Sequence, residues 1–207
     1  TKYSQVHILG CITYKSNQLD NTAHGGVAII IKSTLSLSPL PNFTCDYLQS
    51  CAVSIKLNNI PITIASIYCP PRHNISIPQF HDYFSTINSN FIIGGDINAK
   101  HQSWGCRATN PSGNVLHNFT NAKKYRVLAP PGPIYWPSFI RKKPDILDIF
   151  VSKVPSNLNC TPENILDLNS DHSSVLLTVS ASPTIKITPP KLFSPLTDRI
   201  KFHNFVE

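Results

Sequence analysis

Short apolar runs bounded by Gly, Pro and Asn recur along the chain, and this pattern is typical of β-strands. Residues 25–32 (GGVAIIIK) and 90–96 (NFIIGGD) combine glycines with β-branched apolar residues, so both predict buried strands. Residues 51–57 (CAVSIKL) and 62–68 (ITIASIY) are joined by turn residues and predict a β-hairpin. Further strands are predicted at residues 126–129, 146–152 and 173–180.

Apolar residues recur with helical spacing in two segments. Residues 76–87 (SIPQFHDYFSTI) begin with a Ser that can cap a helix and an early Pro, and residues 112–125 (SGNVLHNFTNAKKY) carry a second helical pattern. Strands with a few interspersed helices, without a regular alternation of the two, favour an α+β fold. We therefore expect a layered sheet sandwich flanked by helices.

The two ends of the chain differ from its centre. Residues 1–20 show no clear periodicity, and the segment from Ser182 is rich in Pro, Thr and Ser. We expect one domain over residues 1–181 and a linker over residues 182–207 that leads toward a following domain. The chain contains no Met, so we expect it to be part of a longer or processed polypeptide.

Composition narrows the class of protein. Hydrophobic residues make up 41% and charged residues 14% of the chain, which supports a packed core over disorder. No apolar run is long enough to span a bilayer and no signal-peptide pattern is present, so we expect no membrane partner. The six cysteines lack zinc-site or C-x-x-C spacing, and we expect reduced, mostly buried thiols in an intracellular protein.

The charge balance points to a polyanionic partner. The formal net charge is +7 and the sequence pI is about 9.2, which suits nucleic acid. Mild basicity is also common among soluble proteins without such a partner. The net charge alone therefore favours neither a nucleic-acid partner nor a protein without such a partner.

Polar side chains lie at the carboxyl end of the predicted strand 90–96. Asp96 can orient or deprotonate a water, and the amide of Asn98 can donate to a developing oxyanion. If the backbone stays extended, alternation places both side chains on one side. The alternative is an Asx turn that simply closes the strand.

Three further strand ends carry polar groups. Asp171 and His172 precede an apolar strand and can hold a metal ion or an anion, or merely cap that strand. Asp145 and Asp148 flank an apolar run, where a charge needs a partner; His172 suits Asp148. We expect Asp145 to cap the strand and Asp148 to be the buried one. Tyr68 can contact a phosphate from its strand end, or be a core tyrosine.

The polar residues at these four strand ends follow the order Tyr, Asp-x-Asn, Asp, Asp-His along the chain. This order resembles the motif order of the endonuclease/exonuclease/phosphatase superfamily. The stretches GGDINAKHQSWG, KPDILDIFV and SDHSSVLLTV are most similar to the endonuclease domain of insect-type non-LTR (LINE) retrotransposon polyproteins. The stretches AHGGVAIII and LTDRIKF also fit that family. The resemblance covers residues from about 23 to 180.

This resemblance implies a four-layered α/β sandwich of the deoxyribonuclease I type, with its site at one edge. It also implies Mg²⁺-dependent hydrolysis of a DNA phosphodiester, with Mn²⁺ as an alternative ion. By motif match, Asp96 would orient or activate the attacking water and Asn98 would hold the scissile phosphate. Positioning and charge neutralisation are what phosphoryl chemistry requires of a protein.

The remaining motif residues have implied roles as well. His172 would stabilise the charge of the transition state, oriented by Asp148. Asp171 would help to bind the metal ion, and Tyr68 would contact phosphate. The resemblance further implies double-stranded DNA as the partner, a reverse transcriptase domain in the same parent polypeptide, and nuclear localisation at the time of action.

One part of the family pattern is missing from this sequence. Family members carry an Asn and then a metal-binding Glu on their first strands, whereas Asp20 is the sole acidic residue among residues 1–40. Glu163 and Glu207 are poorly placed substitutes. We therefore expect the first strands to be missing, and two alternatives stay open: an inert DNA-binding remnant, or a phosphoesterase acting on small esters.

Family domains read DNA with a hairpin between the last two sheet motifs, and residues 133–143 (PIYWPSFIRKK), within the Pro-rich loop 130–144, occupy that position here. This segment is rich in Pro, aromatic and basic residues, which can neutralise phosphates and stack on bases. Its alternative is a solvated loop that packs back on the sandwich. The residues expected to contact DNA are Tyr135, Trp136, Arg141, Lys142 and Lys143, with Arg72 and Lys100 flanking the site.

Overall fold

The computed structural model describes residues 8–17, 25–57, 59–137, 143–165 and 170–181. Both predicted helices and each predicted strand are present at their predicted places. The strands are β1 (Cys11–Asn17), β2 (Gly26–Lys32), β3 (Leu37–Pro39), β4 (Phe43–Thr44), β5 (Gln49–Leu57), β6 (Ile60–Tyr68), β7 (Phe91–Asp96), β8 (Arg126–Leu128), β9 (Asp148–Lys153), β10 (Leu158–Ile165) and β11 (Ser174–Ala181); the helices are α1 (Ile77–Ser85) and α2 (Pro111–Lys123).

A seven-stranded mixed sheet forms the centre of the described fold. Its strand order is β3-β5-β6-β7-β9-β8, and β4 pairs with β5 beside this path. The β5–β6 hairpin forms as predicted. Strand β7 is parallel to β6 and antiparallel to β9, so the carboxyl ends of β6 and β7 meet the amino end of β9 at one edge.

Both helices cover one face of this sheet. Strand alternation sends Phe91 and Ile93 of β7 to that face, where the ring centroid of Phe91 lies 5.4 Å from that of Phe84 in α1. Phe84 in turn packs against Phe119 of α2, with 5.0 Å between centroids. An aromatic core therefore fixes both helices to the sheet.

The opposite face is covered by two separate hairpins, β1–β2 and β10–β11. Ile92 of β7 packs there with Leu158 of β10, and the Cys51 thiol on β5 donates to the carbonyl oxygen of Tyr14 on β1 at 3.7 Å. The layers seen in the described residues are thus helices, the central sheet and the hairpins. This arrangement confirms the expected α+β sandwich.

One expectation about the strands was wrong, and two strands were not predicted. Residues 25–32 were expected to be buried, but β2 lies in an outer hairpin and Ile30 is 43% exposed. Strand β1 falls in a segment without clear periodicity. Strand β10 contains Pro162 and polar residues, a composition that is tolerated because β10 pairs with β11 alone among the described strands.

The cysteines match the expectation of reduced thiols. All six are free, and Cys51, Cys69, Cys106 and Cys160 are buried. No helix within the described residues is long and apolar enough to cross a membrane. The predicted linker, residues 182–207, lies outside the described residues.

Candidate active site

Three polar side chains form a row across the edge of the central sheet. Tyr68 of β6 is in register with Asp96 of β7, and Asp96 is in register with Asp148 of β9. Residues that pair directly share a face of the sheet, so all three project toward the hairpin side. The strand order thereby brings together residues that the sequence placed on three separate strand ends.

His172 completes this row from the start of β11. Its Nδ1 atom lies 2.8 Å from Oδ2 of Asp148, which is the partner that the sequence indicated. A carboxylate on Nδ1 fixes the orientation of the ring and its Nδ1–H tautomer, and it leaves Nε2 available to a ligand. Both side chains are partly exposed, 32% for His172 and 27% for Asp148, so solvent and substrate can reach them.

Asp96 sits in an environment that opposes its charge. Burial is the largest influence and repulsion from Asp148 the next, and together they raise the pKa of Asp96 to about 6. His172 and the hydrogen bonds from Asn98 act in the opposite direction without cancelling the increase. A carboxylate with a pKa close to neutrality is suited to accept and return a proton at physiological pH.

Asn98 does not continue the strand, so the condition of an extended backbone over Asp96–Asn98 is not met. Its φ angle is 51°, a left-handed conformation that Asn tolerates better than most residues. Its backbone N–H donates to Oδ1 of Asp96 at 3.2 Å, forming the Asx-type turn that was the alternative. Its Nδ2 donates to the carbonyl oxygen of Cys69 at 3.1 Å, which anchors the amide beside the end of β6.

The expected division between Asp145 and Asp148 was also wrong. Asp145 is the buried carboxylate, with 6% of its side chain exposed, and its Oδ2 lies 2.9 Å from Nζ of Lys100. Its Oδ1 accepts the backbone N–H groups of Arg107 and Ile146 at 3.1 and 3.0 Å. Burial favours the neutral acid, but Lys100 and these donors outweigh it and lower the pKa of Asp145. Lys100 is therefore an internal ion-pair partner rather than a phosphate contact.

Tyr68 and Arg72 extend the row on its β6 side. Burial, followed by the charge of Asp96, raises the pKa of Tyr68, whereas Arg72 lowers it. The phenol therefore stays protonated and can donate a hydrogen bond. Arg72 is exposed, so its guanidinium is accessible at the edge of the site. Its Nε donates to Nε2 of His73 at 3.1 Å.

Tyr135 packs against the His172 ring, whereas Trp136 is bonded to the neighbouring Ser173 and is partly exposed. The Tyr135 ring is 4.9 Å from the His172 ring, and its backbone bridges to both Asp145 and His172. The Trp136 indole Nε1 donates to Oγ of Ser173 at 3.2 Å, yet 46% of Trp136 is exposed. Tyr135 thus supports His172, while Trp136 presents an open aromatic face beside it.

The other predicted contacts are less centrally placed. Asp171 is exposed, and its Oδ1 accepts from Oγ of Ser170 at 3.4 Å. Lys143 is exposed, whereas Arg141 and Lys142 lie outside the described residues. Within the part of the chain that the structure describes, no group of three or more His, Cys, Asp or Glu side chains could hold a metal ion.

A cleft of about 340 Å³ opens beside the Asp148–His172 pair. Gly95 and Phe150 contribute to its sheet side, and Ser170, Ser173 and Ser174 contribute hydroxyl groups near β11. Gly95 is required there because a Cβ would lie 2.0 Å from the carbonyl oxygen of Ile67. The cleft gives the Asp148–His172 end of the polar row an open, hydroxyl-lined approach from solvent.

His101 and Trp104 belong to local packing. Trp104 is buried, 7% exposed, and its Nε1 donates to the Ala99 carbonyl oxygen at 3.3 Å. The His101 ring stacks on that of His117 with 4.0 Å between centroids.

Asn110 contacts the Asp96–Asn98 turn and was not predicted as a site residue. Its Asn-Pro pair before a helical pattern was an available N-cap signal.

The sequence of this chain is similar to those of known proteins. A family sequence profile described as endonuclease–reverse transcriptase matches residues 62–176. The chain is 28% identical over 203 residues to the RNA-directed DNA polymerase from mobile element jockey of Drosophila melanogaster, covering 98% of this chain and 22% of that protein. It is 29% identical over 199 residues to the probable RNA-directed DNA polymerase from transposon X-element of the same species, covering 96% of this chain and 22% of that protein. The chain therefore spans about 22% of the length of these curated relatives.

A solved structure shares the fold. The endonuclease domain of TRAS1, a telomere-specific non-LTR retrotransposon, superposes with a TM-score of 0.67 at 19% sequence identity. The match covers 85% of this chain and 83% of the TRAS1 chain. At that level of identity, the likeness establishes the architecture, and the chemistry has to be argued from the side chains.

Proposed function

The chain belongs to the endonuclease–reverse transcriptase family, and from this premise we propose that its polar row hydrolyses a phosphodiester bond of double-stranded DNA. The reaction would nick target DNA during retrotransposition. One observation carries the proposal: Tyr68, Asp96 and Asp148 share one row, and His172 is bonded to Asp148 at 2.8 Å. An acid–base carboxylate and an oriented imidazole at one open edge suit hydrolysis of a phosphate diester.

Asp96 activates the attacking water in this proposal. Its pKa of about 6 leaves it mostly ionised at neutral pH, yet close enough to neutrality to take a proton. The amide of Asn98 donates to the carbonyl oxygen of Cys69 and also hydrogen-bonds the Asp96 carboxylate. When substrate binds, an N–H of this amide would turn from Asp96 to a non-bridging phosphate oxygen, while the phenol of Tyr68 donates from the neighbouring strand.

His172 stabilises the charge that develops on the phosphorus oxygens. Asp148 holds Nδ1, so Nε2 is the atom that faces substrate. A protonated ring donates a charged hydrogen bond and also offsets the negative charges of Asp96 and Asp148. The Tyr135 ring, 4.9 Å from His172, limits the rotation of the imidazole and shields one side from water.

A divalent cation, Mg²⁺ or alternatively Mn²⁺, fits the donors in part. Mg²⁺ takes oxygen ligands and is commonly held by one or two carboxylates, with water and substrate phosphate completing its shell. Asp96 and Asp148 supply two such carboxylates, whose mutual repulsion a cation would offset, while no third His, Cys, Asp or Glu of the described residues, Asp171 included, completes a metal group with them. When bound, the ion would supply charge neutralisation at the phosphate.

The proposed partner is double-stranded DNA. The net charge of +7 favours a polyanion, and the open faces of Trp136 and Arg72 flank the row. The basic residues Arg141, Lys142 and Lys143 follow Trp136 in the same segment and would contact phosphates. Because the relatives are RNA-directed DNA polymerases of mobile elements, we also propose a reverse transcriptase domain in the parent polypeptide, acting in the nucleus.

Plasmid nicking tests the proposal. With Mg²⁺, the chain is expected to convert supercoiled plasmid to nicked circles, and Asp96→Ala should abolish this conversion. The matched control is Asp82→Ala, which removes an exposed carboxylate on α1 and should nick like the unaltered chain.

Two results would contradict the endonuclease assignment. Salt-sensitive retardation of DNA without nicking would identify a DNA-binding remnant. Release of phosphate from small esters, with the plasmid left intact, would identify a phosphoesterase. Equal loss of nicking in Asp82→Ala would remove Asp96 from the mechanism.

A further inference from the structure

Asn110 connects helix α2 to the turn that carries Asn98. As the residue before α2, it caps the helix: its Oδ1 accepts the backbone N–H of Gly113 at 2.7 Å. The same Oδ1 accepts the N–H of Lys100 at 2.9 Å. Its Nδ2 donates to the carbonyl oxygen of Asn98 at 2.9 Å. One side chain therefore satisfies a helix end and two points of the preceding loop.

This bonding pattern fixes the orientation of the amide. Two backbone N–H groups, of Lys100 and Gly113, face one end of the carboxamide, and the carbonyl of Asn98 faces the other. Only the assignment with oxygen toward the N–H groups satisfies all three. A helix cap needs just the bond to Gly113, so the other two bonds exceed what capping requires.

The helix also approaches the loop unusually closely. The Asn110 backbone N–H donates to the Lys100 carbonyl oxygen at 3.0 Å. A Cβ on Gly113 would lie 1.7 Å from that same oxygen. Glycine at this position is thus what lets the first turn of α2 rest directly on the loop, and it keeps Asn110 within reach of Asn98.

The turn at Asn98 is held from three sides. Its N–H is bonded to Asp96, its side chain to Cys69 and its carbonyl to Asn110. The left-handed φ of 51° costs free energy for a residue with a Cβ, so it persists because surrounding contacts maintain it. Of these three contacts, the bond from Asn110 comes from the N-cap of α2, whereas Asp96 and Cys69 lie at the ends of β7 and β6.

We propose that Asn110 is a positioning residue that holds the Asp96–Asn98 turn in its reactive geometry through its Nδ2 bond to the Asn98 carbonyl. This inference rests on the proposed hydrolysis of a phosphodiester. Asn110 acts through Asn98 and does not touch substrate. A small displacement of Asn98 would misplace its amide relative to the phosphate, which reduces turnover far more than substrate binding.

Asn110→Asp separates this role from capping. Aspartate keeps the acceptor for Gly113 and Lys100 and caps helices as well as asparagine does, but it has no N–H to give to Asn98. Turnover in plasmid nicking should fall about 10- to 100-fold with little change in KM, and the melting temperature should stay within about 3 °C. Asn110→Ser, an uncharged cap with a shorter side chain, should behave in the same way.

The added charge of aspartate has its own control. Asn114→Asp places the same charge one turn further along α2 on an exposed side chain and should nick like the unaltered chain. If Asn110→Asp and Asn110→Ser both nick at the unaltered rate, the positioning role is wrong. A fall in turnover only in proportion to lost melting temperature would equally overturn it.

Amide hydrogen exchange provides a readout that does not depend on activity. The Asn98 N–H, protected by Asp96, should exchange about 10-fold or more faster in Asn110→Ser, while residues 91–95 of β7 keep their protection. Unchanged exchange at Asn98 would contradict the positioning role even if DNA is nicked. Faster exchange at Asn98 in a chain that never nicks DNA would support the positioning role and contradict the proposed hydrolysis.

Discussion

Asp96 and Asp145 are two largely buried carboxylates near the same sheet edge, and their surroundings shift their pKa values in opposite directions. Asp145 faces Lys100 and accepts two backbone N–H groups, so its pKa is lowered. Asp96 accepts the Asn98 N–H and faces Asp148, and burial with that repulsion raises its pKa to about 6. The first arrangement stabilises a charge; the second makes a charge reactive.

This contrast distinguishes a carboxylate that stabilises the fold from one that is suited to proton transfer. A satisfied ion pair such as Lys100–Asp145 closes a loop but has no remaining capacity for substrate. An under-compensated carboxylate such as Asp96 reduces stability, yet it can exchange protons near neutral pH. Asp148 is intermediate between the two, because among the described residues its one partner is His172, and both side chains remain accessible.

The Asp148–His172 pair should act as one unit. Asp148→Ala and His172→Ala should each lower plasmid nicking by about 10²- to 10⁴-fold, and the double variant should lose little more than either single variant. Stopped nicking time courses of the three variants measure this coupling. Multiplicative losses in the double variant would show that the two side chains work independently. His81→Ala, on an exposed part of α1, is the control.

Asp145→Ala should act on stability. It leaves the Lys100 ammonium without its partner and two backbone N–H groups without an acceptor, so the free energy of unfolding should fall by about 3 kcal/mol. Chemical denaturation at pH 7.5 measures the loss. Because the pKa of Asp145 is lowered on folding, its contribution is present above the unfolded carboxyl pKa and is lost as the pH falls through the folded pKa. A loss that persists undiminished at strongly acidic pH would contradict this origin.

Asp96→Asn should stabilise the protein while removing activity. The folded pKa of about 6 lies above the unfolded value of about 3.9, so between these pH values only the native state retains the proton. Stability therefore falls as the pH rises through this window and stays lower above it. Asparagine removes that penalty, and the free energy of unfolding should rise by about 1–3 kcal/mol at pH 7.5 but not at pH 3.5. Denaturation at the two pH values checks the sign.

The smallest effect is expected at the basic segment. Lys143→Ala should weaken DNA binding by a few-fold and reduce the slope of log K against log salt by about 1. Replacement of Arg141, Lys142 and Lys143 together should flatten the slope further. Lys56→Ala, exposed on β5 away from this segment, should leave the slope unchanged. An equal slope in the triple variant would remove this segment from the DNA contact.

Much of the fold was predictable because it depends on local periodicity. The largely apolar runs 62–68 and 90–96 specified β6 and β7, and the Ser-x-Pro start specified α1. Strand β10 was not predictable, since Pro162 and its polar neighbours are unlike a strand until β11 pairs beside them. The exposure of β2 likewise depends on its place in an outer hairpin.

The sequence by itself determined the α+β class and the polar residues at the strand ends, including the pairing of Asp148 with His172. It did so because strand and helix periods, and the cost of an unpaired charge, are readable from neighbouring residues. Only the tertiary structure decided which carboxylate receives a counter-charge. Lys100 and Asp145 meet across 2.9 Å although they are distant along the chain, and no local pattern encodes that meeting. The raised pKa of Asp96 also depends on the tertiary structure, since burial is its largest cause and repulsion from Asp148, which the strand register places beside it, is the next.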